Sequence, residues 1–414
     1  MSYTHKCFAE YERRLFRAMA SIPERVPWTD SGSAEIQDVL RGCLGVHANW
    51  TPTIRTDCVQ ITRHDGFTIE HLQSHSWPGV RGAAHFYVPC GADGPRPLVL
   101  LCCGHGRGGK LNLGYQAMAR AIARQGALVL VPDNIGQGER TPMGHANVVA
   151  PFACGTSLQG LIVMETLGWV AWGRDDERVD TTRLAAVGNS GGGHLTTYLS
   201  ALCPNLAVVS SSGRPTTNEF VARKEKRLCH CSIVPGIVGE LEMWQILGCF
   251  APKPMFIFQG LGDSLFPPDL FHLTVRKLRT VYGHMAAPDC FRAAIVPGEH
   301  SWDVGRRVLL ADYLKGALDL PGEQEDHSVE AESLLAVDGR CFDVWPDSAL
   351  DTDRLACQLT GVQVEPDQRL WDIYPPAVDA ARLEQMTERG ETLQILAQFE
   401  MFVKSDSVIT ETGD

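Results

Sequence analysis

The 414-residue sequence contains no uninterrupted run of about 18 apolar residues, the length that a helix needs to cross a membrane. It has no internal repeat and no low-complexity segment, and charged residues interrupt its N-terminus too early for a secretory signal. Its composition is far from that of disordered or fibrous proteins. These absences predict a soluble cytoplasmic protein that has no membrane as a partner.

Positive charge is also scarce, because the chain carries a formal net charge of -12. Nucleic-acid binding needs a basic face, so nucleic acid is not expected as a partner. The acidity is concentrated at one end, since residues 321–414 hold 21 acidic and 6 basic side chains. The first 320 residues are close to neutral, and the overall charge therefore says little about them.

The chain contains 14 cysteines, which the absence of a secretory signal predicts to be mostly reduced, buried thiols. Cys229, His230 and Cys231 form one short cluster of potential metal ligands. No second cluster follows at the spacing typical of zinc sites. We therefore expect no metal and no cofactor, and we expect this segment to line or support a pocket.

Short apolar segments alternate with helical patterns through the middle of the chain, which predicts an α/β fold with a mostly parallel central sheet flanked by helices. Two strands nearer the N-terminus, Phe67–Leu72 and Ala83–Val88, are expected to pair antiparallel at the sheet edge. The other predicted strands are Leu98–Cys102, Ala127–Val131, Leu184–Val187, Leu206–Val209, Met255–Phe258 and Phe291–Val296. Helices are predicted at 115–124, 161–172, 195–202, 270–281 and 304–318.

Three regions follow from these patterns: an N-terminal helical extension (1–55), a catalytic domain (56–320) and an acidic C-terminal extension (321–414). A helix is predicted at Phe8–Met19, a strand at Cys341–Trp345 and a helix at Ala377–Val403. Because the C-terminal extension is rich in large apolar residues, we expect it to pack on the catalytic domain or on a second copy of the chain. A homo-oligomer is therefore predicted.

One motif carries the chemistry. The segment Val187–His194 contains the pattern Gly-x-Ser-x-Gly, with Ser190 at its centre, between a predicted strand and a predicted helix. This context is typical of a nucleophile elbow, a sharp turn that exposes a serine hydroxyl at the top of a sheet. Glycine at 188 and 192 tolerates the close packing that such a turn requires. Ser190 is thus the predicted nucleophile.

The acid and the base are expected downstream, in the order Ser, acid, His. Asp263 follows the predicted strand Met255–Phe258, and His300 follows the next strand. His300 is predicted to take the proton from Ser190, and Asp263 to orient its imidazole. Asp269 and Asp289 are less well placed, because one begins a predicted helix and the other precedes a strand.

An oxyanion hole is predicted from the backbone N–H of Gly191 and a second donor near Gly106 or Arg107. Gly106 and Arg107 belong to the glycine-rich loop 103–110, which is not a phosphate-binding loop because Leu111 follows Lys110 where Ser or Thr is required. His105, Trp302 and His230 are the predicted substrate-pocket residues.

These segments resemble known proteins. Gly188–Gly193, Arg174–Asp180, Pro235–Ile237 with Ala251–Pro254, and Gly260–Pro267 are similar to motifs of acetyl-xylan-esterase-like and dienelactone-hydrolase-like α/β-hydrolases. The resemblance covers roughly residues 65–318. It implies the α/β-hydrolase fold and a serine esterase, often one that acts on a small acyl ester of a carbohydrate, with Ser190, Asp263 and His300 in the catalytic positions.

The leading hypothesis is a serine hydrolase that cleaves a small-molecule carboxylic ester through an acyl-enzyme. A lactonase, an amidase or a carbon–carbon bond hydrolase would use the same three residues, because the fold does not determine the substrate. A non-catalytic, hydrolase-like binding protein is a third hypothesis, and the presence of all three residues argues against it.

Overall fold

The computed structural model describes residues 25–91, 94–106, 108–146, 148–218, 220–221, 229–322 and 339–364. Within these residues, nine strands form one sheet in the order β1-β2-β3-β5-β4-β6-β7-β8-β9. The strands are β1 (Arg55–His64), β2 (Phe67–His75), β3 (Arg81–Pro89), β4 (Arg96–Cys102), β5 (Leu128–Pro132), β6 (Val179–Asn189), β7 (Val208–Ser212), β8 (Met255–Gly260) and β9 (Phe291–Val296).

The helices of the described residues cover both faces of the sheet. They are α1 (Asp30–Leu44), α2 (Leu113–Arg124), α3 (Ala150–Ala153), α4 (Leu158–Asp175), α5 (Gly191–Leu202), α6 (Met243–Gly248), α7 (Pro268–His284), α8 (Val304–Ala317) and α9 (Thr352–Thr360). Short 3-10 turns occur at Ala48–Trp50, Gly109–Leu111, Gly138–Met143, His230–Ser232 and Pro288–Cys290.

Strand β4 shows how the sequence produces this three-layer arrangement. Successive side chains of a strand point to opposite faces of the sheet. Leu98 and Leu100 accordingly join the hydrophobic cluster that contains residues of α1, α4, α5, α6 and α7. Val99 and Leu101 join the second cluster, with residues of α2 and α8. Both faces of β4 are buried, which explains why the strand has an uninterrupted apolar sequence.

The sheet confirms the predicted fold class. Strands β4 to β9 pair in parallel, whereas β1, β2 and β3 pair antiparallel at one side of the sheet. Each predicted strand between Phe67 and Val296 is present, with ends shifted by a few residues, and the five helices predicted between 115 and 318 are present as well. The mostly parallel sheet is therefore an observed feature of the protein.

The predicted set of strands needs correction at two places. The sequence analysis missed β1, because this edge strand is largely exposed and has no apolar face to reveal it. The strand predicted at Cys341–Trp345 is wrong, since this segment forms bends. The backbone N–H groups of Cys341 and Phe342 donate to the Glu139 carboxylate instead of to a neighbouring strand.

The described part of the C-terminal extension, residues 339–364, packs against the sheet and its helices. Leu355 and Ala356 of α9 are fully buried in the larger hydrophobic cluster. Cys341 and Phe342 pack on Ala83 of β3. The helices predicted at 8–19 and 377–403 lie outside the described residues. The domain boundaries at 55 and 320 remain predictions.

None of the described helices combines the length and the apolar composition that crossing a membrane requires.

Asp353 gives the first testable prediction. Its Oδ1 atom accepts hydrogen bonds from the backbone N–H groups of Val149 and Ala150, at 2.9 and 2.8 Å, and so joins α9 to the start of α3. We expect Asp353→Ala to lower the free energy of unfolding by about 1–3 kcal/mol, because two partly buried donors lose their acceptor. Urea denaturation measures this loss. The exposed Asp347→Ala is the control, and equal stability of both variants would contradict the prediction.

Candidate active site

Ser190 lies between the end of β6 and the first residue of α5. Its backbone angles are φ 59° and ψ -121°, a strained conformation for a residue with a side chain. A Cβ atom at Gly192 would lie 2.0 Å from the carbonyl oxygen of Cys102, and one at Gly188 would lie 2.4 Å from the Gly192 backbone. The turn thus requires glycine at both positions, as the motif predicts.

Asp263 and His300 meet beside this turn. Asp263 follows β8, His300 follows β9, and the Nδ1 atom of His300 lies 2.7 Å from Oδ2 of Asp263. An ionised carboxylate only accepts hydrogen bonds, so Nδ1 carries the proton and donates it to Asp263. In the neutral form of the imidazole, Nε2 is then the nitrogen that carries the lone pair. The Nε2 atom is buried and has no hydrogen-bond partner among the described residues.

The carboxylate of Asp263 is held by three further donors. The backbone N–H groups of Leu265 and Phe266 donate to Oδ1 at 3.0 and 2.9 Å, and the side-chain amide of Gln259 donates to Oδ2 at 2.7 Å. Burial by itself would raise the pKa of Asp263. The hydrogen bonds from His300 and from the two backbone amides outweigh burial and lower the pKa, so the carboxyl group is ionised.

Gly213 brings His300 close to Ser190. It follows β7 with a φ of 61°, and a Cβ atom at this position would lie 3.0 Å from Cε1 of His300 and 3.2 Å from the backbone nitrogen of Ser190. Both residues therefore border the position that a side chain at 213 would occupy. The edge of the His300 imidazole lies close to the backbone of Ser190 because that position is empty. The structure thus brings together Ser190, Asp263 and His300 from three separate loops.

The loop after β4 lies directly on the turn. A Cβ atom at Gly104 would lie 3.1 Å from Cβ of Ser190, and one at Gly191 would lie 2.7 Å from Nδ1 of His105. The N–H of Gly104 donates to the hydroxyl of Tyr115, which holds the loop in place. Gly106 belongs to the same loop, whereas Arg107 lies outside the described residues. Gly191 begins α5, and its N–H therefore has no acceptor within the helix.

The three predicted pocket residues have different surroundings. His105 is exposed. Trp302 is 9% exposed and packs against Tyr115 and Phe258 in a hydrophobic cluster, so it supports the loop through Tyr115. The Nδ1 atom of His230 lies 2.9 Å from the carbonyl oxygen of Val148, and burial lowers the pKa of this histidine.

A buried ion network lies behind the loop. The Lys110 ammonium contacts the carboxylates of Asp133 and Glu139, and all three side chains are nearly inaccessible. Burial alone would lower the pKa of Lys110, but Asp133 and the other anionic neighbours raise it, so the charge is kept. From the sequence, Lys110 was considered only as a phosphate-binding lysine, and Asp133 was given no definite role. The structure assigns both to support of the loop.

Among the residues that the structure describes, two clusters contain groups that are able to bind a metal. In the first, the ligand atoms of His105, His145, Cys229 and Cys231 all lie within 4.8 Å of one another. The second consists of His71, His85 and Cys341. His145 was not predicted from the sequence, because no pattern surrounds it. Cys229 and Cys231 were therefore considered without their two histidine neighbours.

Comparison with known proteins agrees with the fold. No protein-family model matches the chain. The curated protein named Putative hydrolase YtaP, from Bacillus subtilis (strain 168), is 20% identical over 299 residues, which are 69% of this chain and 91% of that protein.

Solved structures of esterases are similar to this chain. Methylesterase BT1017 superposes with a TM-score of 0.55 and 19% identity, covering 94% of this chain and 76% of its own. A glucuronoyl esterase from Solibacter usitatus has a TM-score of 0.55 and 13% identity over 69% of this chain and 93% of its own. Acetyl xylan esterase 1 from Thermoanaerobacterium sp. JW/SL YS485 has a TM-score of 0.50 and 14% identity, with 72% and 94% covered. The chain therefore has the α/β-hydrolase fold, which confirms the fold that the resemblance in the sequence implied.

The lowered pKa of Asp263 predicts how stability depends on pH. A carboxylate with a lower pKa in the folded state contributes stability above its unfolded pKa of about 3.9 and loses it as the pH falls through the folded value. We therefore expect Asp263→Asn to be less stable than the wild type near pH 7, with a difference that shrinks below about pH 4. Thermal unfolding across this pH range measures the difference. The exposed Asp347→Asn is the control. A stability difference between Asp263→Asn and the wild type that does not change with pH would contradict the lowered pKa of Asp263.

Proposed function

We propose that the protein is a serine hydrolase that cleaves a carboxylic ester through an acyl-enzyme on Ser190. The observation that carries this proposal is the position of Ser190, on a strained turn next to a histidine whose other nitrogen is bound to Asp263 at 2.7 Å. A strained serine beside an oriented base is the arrangement that nucleophilic catalysis requires. The names of the similar proteins, all hydrolases or esterases, support the same reaction.

The geometry suggests the order of steps. Ser190 Oγ attacks the ester carbonyl carbon while Nε2 of His300 takes the hydroxyl proton. Asp263 accepts the hydrogen bond from Nδ1–H, which keeps the correct tautomer and stabilises the imidazolium ion. His300 then returns the proton to the departing alcohol, and the acyl group stays on Ser190. A water molecule, deprotonated by His300, releases the acid in the second half of the cycle.

The negative oxygen of the tetrahedral intermediate needs donors that are already in place. The N–H of Gly191 supplies one, at the N-terminus of α5, where the helix dipole also favours negative charge. The second comes from the loop after β4, near Gly106 or Arg107. The contact between this loop and Gly191 supports that assignment, because both donors must face the same oxygen atom.

Replacing the nucleophile tests the proposal. We expect Ser190→Ala to lower turnover by on the order of 10⁶-fold while the fold is kept, because loss of the nucleophile removes the whole catalytic unit. Circular dichroism checks the fold, and a fluorophosphonate probe should label the wild type but not the variant. Ser348→Ala, an exposed substitution in the C-terminal segment, is the control. A variant with even a tenth of wild-type turnover would overturn the assignment.

The substrate class needs a separate experiment. The similar proteins carry names of a methylesterase, a glucuronoyl esterase and an acetyl xylan esterase, and we therefore propose a small ester carried by a carbohydrate. A panel of acetyl and methyl esters, lactones and amides distinguishes ester cleavage from the reactions that share its catalytic residues. Labelling by the probe without turnover on any of them would favour a different substrate class, whereas absence of labelling would favour a binding protein.

We further propose a cytoplasmic, homo-oligomeric protein. No disulfide joins two cysteines among the described residues, as is usual in a reducing compartment. Beyond the described segment, the sequence places Leu393, Leu396, Phe399 and Phe402 at helical spacing, which gives an apolar stripe suited to association.

Two truncations separate the roles of the C-terminal extension. A chain that ends at Val364 keeps the packed segment 339–364, and we expect it to fold normally but to lose self-association. A chain that ends at Leu320 also lacks α9 and the residues that cover Ala83. We expect this chain to be less stable than the wild type, because it exposes apolar surface that is otherwise buried. Light scattering gives the mass and thermal unfolding gives the stability. An unchanged mass for the first truncation would contradict an interface in residues 365–414.

A further inference from the structure

Four potential metal ligands converge beside the nucleophile from three distant stretches of the chain. His105 lies in the loop after β4, His145 follows the turn Gly138–Met143, and Cys229 and Cys231 flank His230. Each residue offers one ligand atom, and all four atoms lie within 4.8 Å of one another. The Nε2 atoms of the two histidines are 3.2 Å apart, and Sγ of Cys231 is 3.2 Å from Nε2 of His105.

These separations suit a tetrahedral zinc ion. Zinc binds nitrogen at about 2.0–2.1 Å and thiolate sulfur at about 2.3 Å, so the ligand atoms around one tetrahedral ion are about 3.3–3.8 Å apart. The two measured separations of 3.2 Å are close to this range. Two cysteines with two histidines form a donor set typical of structural zinc. Two thiolates also neutralise the charge of Zn²⁺. A site without net charge suits the surroundings, because the nearby Arg214 is buried and positively charged.

The tautomer of His145 also favours binding of a metal. Nδ1 of His145 lies 2.6 Å from the carbonyl oxygen of Ile135, so Nδ1 carries the proton and the lone pair of Nε2 points into the cluster. A ligating histidine commonly has its other nitrogen bound in this way. The side-chain amide of Gln137 lies 3.1 Å from the same Nε2 atom and has to turn aside when a metal binds. His105 fits next to the elbow because residue 191 has no Cβ atom.

The second cluster lacks these properties. The carbonyl oxygen of Gly339 lies 3.3 Å from Nδ1 of His71 and 2.6 Å from Nε2 of His85, and thus occupies the space between the rings. The other ring nitrogen of His71 contacts Thr62, and the thiol of Cys341 donates to the carbonyl oxygen of Ala84. Apart from Nδ1 of His85, its ring nitrogens and its thiol already have protein partners, so this cluster is a hydrogen-bonded part of the core.

We propose that His105, His145, Cys229 and Cys231 bind one structural zinc ion, which ties the loop after β4 to residues 145 and 229–231 beside Ser190. Four protein ligands leave no open position, so the ion is structural and does not activate water. It holds in place the loop that is expected to complete the oxyanion hole. This proposal is independent of the reaction catalysed, and it reverses the expectation from the sequence that no metal is bound.

Metal content provides the first test. The full-length protein is produced with zinc in the medium, purified without chelator, and its metal is measured by mass spectrometry. We expect about one zinc ion per chain. After removal of zinc and loading with Co²⁺, we expect the visible absorption bands of tetrahedral cobalt and the charge-transfer band of thiolate ligands. Absence of stoichiometric zinc together with absence of these bands would overturn the proposal.

Variants then test the ligand set. Cys231→Ser and His145→Ala should each lose the bound ion, whereas His230→Ala should keep it, because His230 lies between the two cysteines but contacts Val148 instead. Cys341→Ser, in the second cluster, should keep it too. Loss of zinc from Cys341→Ser but not from Cys231→Ser would contradict the assignment.

The wild type decides the question even if a ligand variant fails to fold. Titration of thiols in the unfolded protein under non-reducing conditions, together with mass spectrometry of its peptides, detects a disulfide between Cys229 and Cys231. Such a disulfide in the freshly purified protein would exclude thiolate ligation and overturn the proposal. None of these readouts uses enzymatic activity, so a failure of the zinc site is distinguishable from a failure of the proposed esterase reaction.

Discussion

The site depends on the close packing of the first residues of α5 against the ends of strands β4 and β6. The carbonyl oxygen of Cys102 leaves no room for a Cβ atom at Gly192, and the Gly192 backbone leaves none at Gly188. This contact forces the chain to turn sharply at Ser190, which adopts a positive φ that a residue with a side chain rarely occupies. The same contact sets the start of α5 and the position of the loop after β4. Each further feature of the site is arranged around this turn.

Buried charged groups support the loop after β4 from the protein interior. Lys110, Asp133 and Glu139 form a buried ion network, and removing one member of such a network typically costs about 3–5 kcal/mol, because the remaining charge is left without a partner. Glu139 also accepts from the N–H groups of Cys341 and Phe342. The C-terminal segment is thereby connected to the loop that lies on Ser190, which gives residues 339–364 a structural role close to the site.

The parts of this structure that sequence reasoning predicted share one property, namely that a local pattern determines them. Buried parallel strands are continuous apolar segments, and β4 and β5 were predicted for that reason. The elbow was found because close packing demands glycine at fixed positions around Ser190. Asp263 and His300 were found because the chain order of this fold places an acid and then a histidine in the loops after particular strands.

What sequence reasoning missed depends on contacts between distant residues. Strand β1 is stabilised by pairing with β2 and not by burial, so its side chains show no apolar pattern. The segment after Cys341 resembles a strand in composition, but its N–H groups are used by Glu139, which lies about 200 positions earlier in the chain. Gly213 has an unremarkable sequence context, and its importance appears only when His300 and Ser190 are seen on its two sides.

The proposed zinc site extends this reasoning to the other side of the same loop. Tyr115 and the ion network hold residues 104–110 from the protein interior, yet His105 is exposed and contacts the elbow only through the space left at Gly191. An oxyanion hole works when its donors are fixed before the reaction begins, because reorganising them would cost part of the stabilisation that they provide. A metal that joins His105 to His145, Cys229 and Cys231 would supply a further constraint on the side of the loop that faces these residues. The role proposed for the metal is therefore to hold a backbone donor in position, while the proposed chemical steps remain with Ser190, His300 and Asp263.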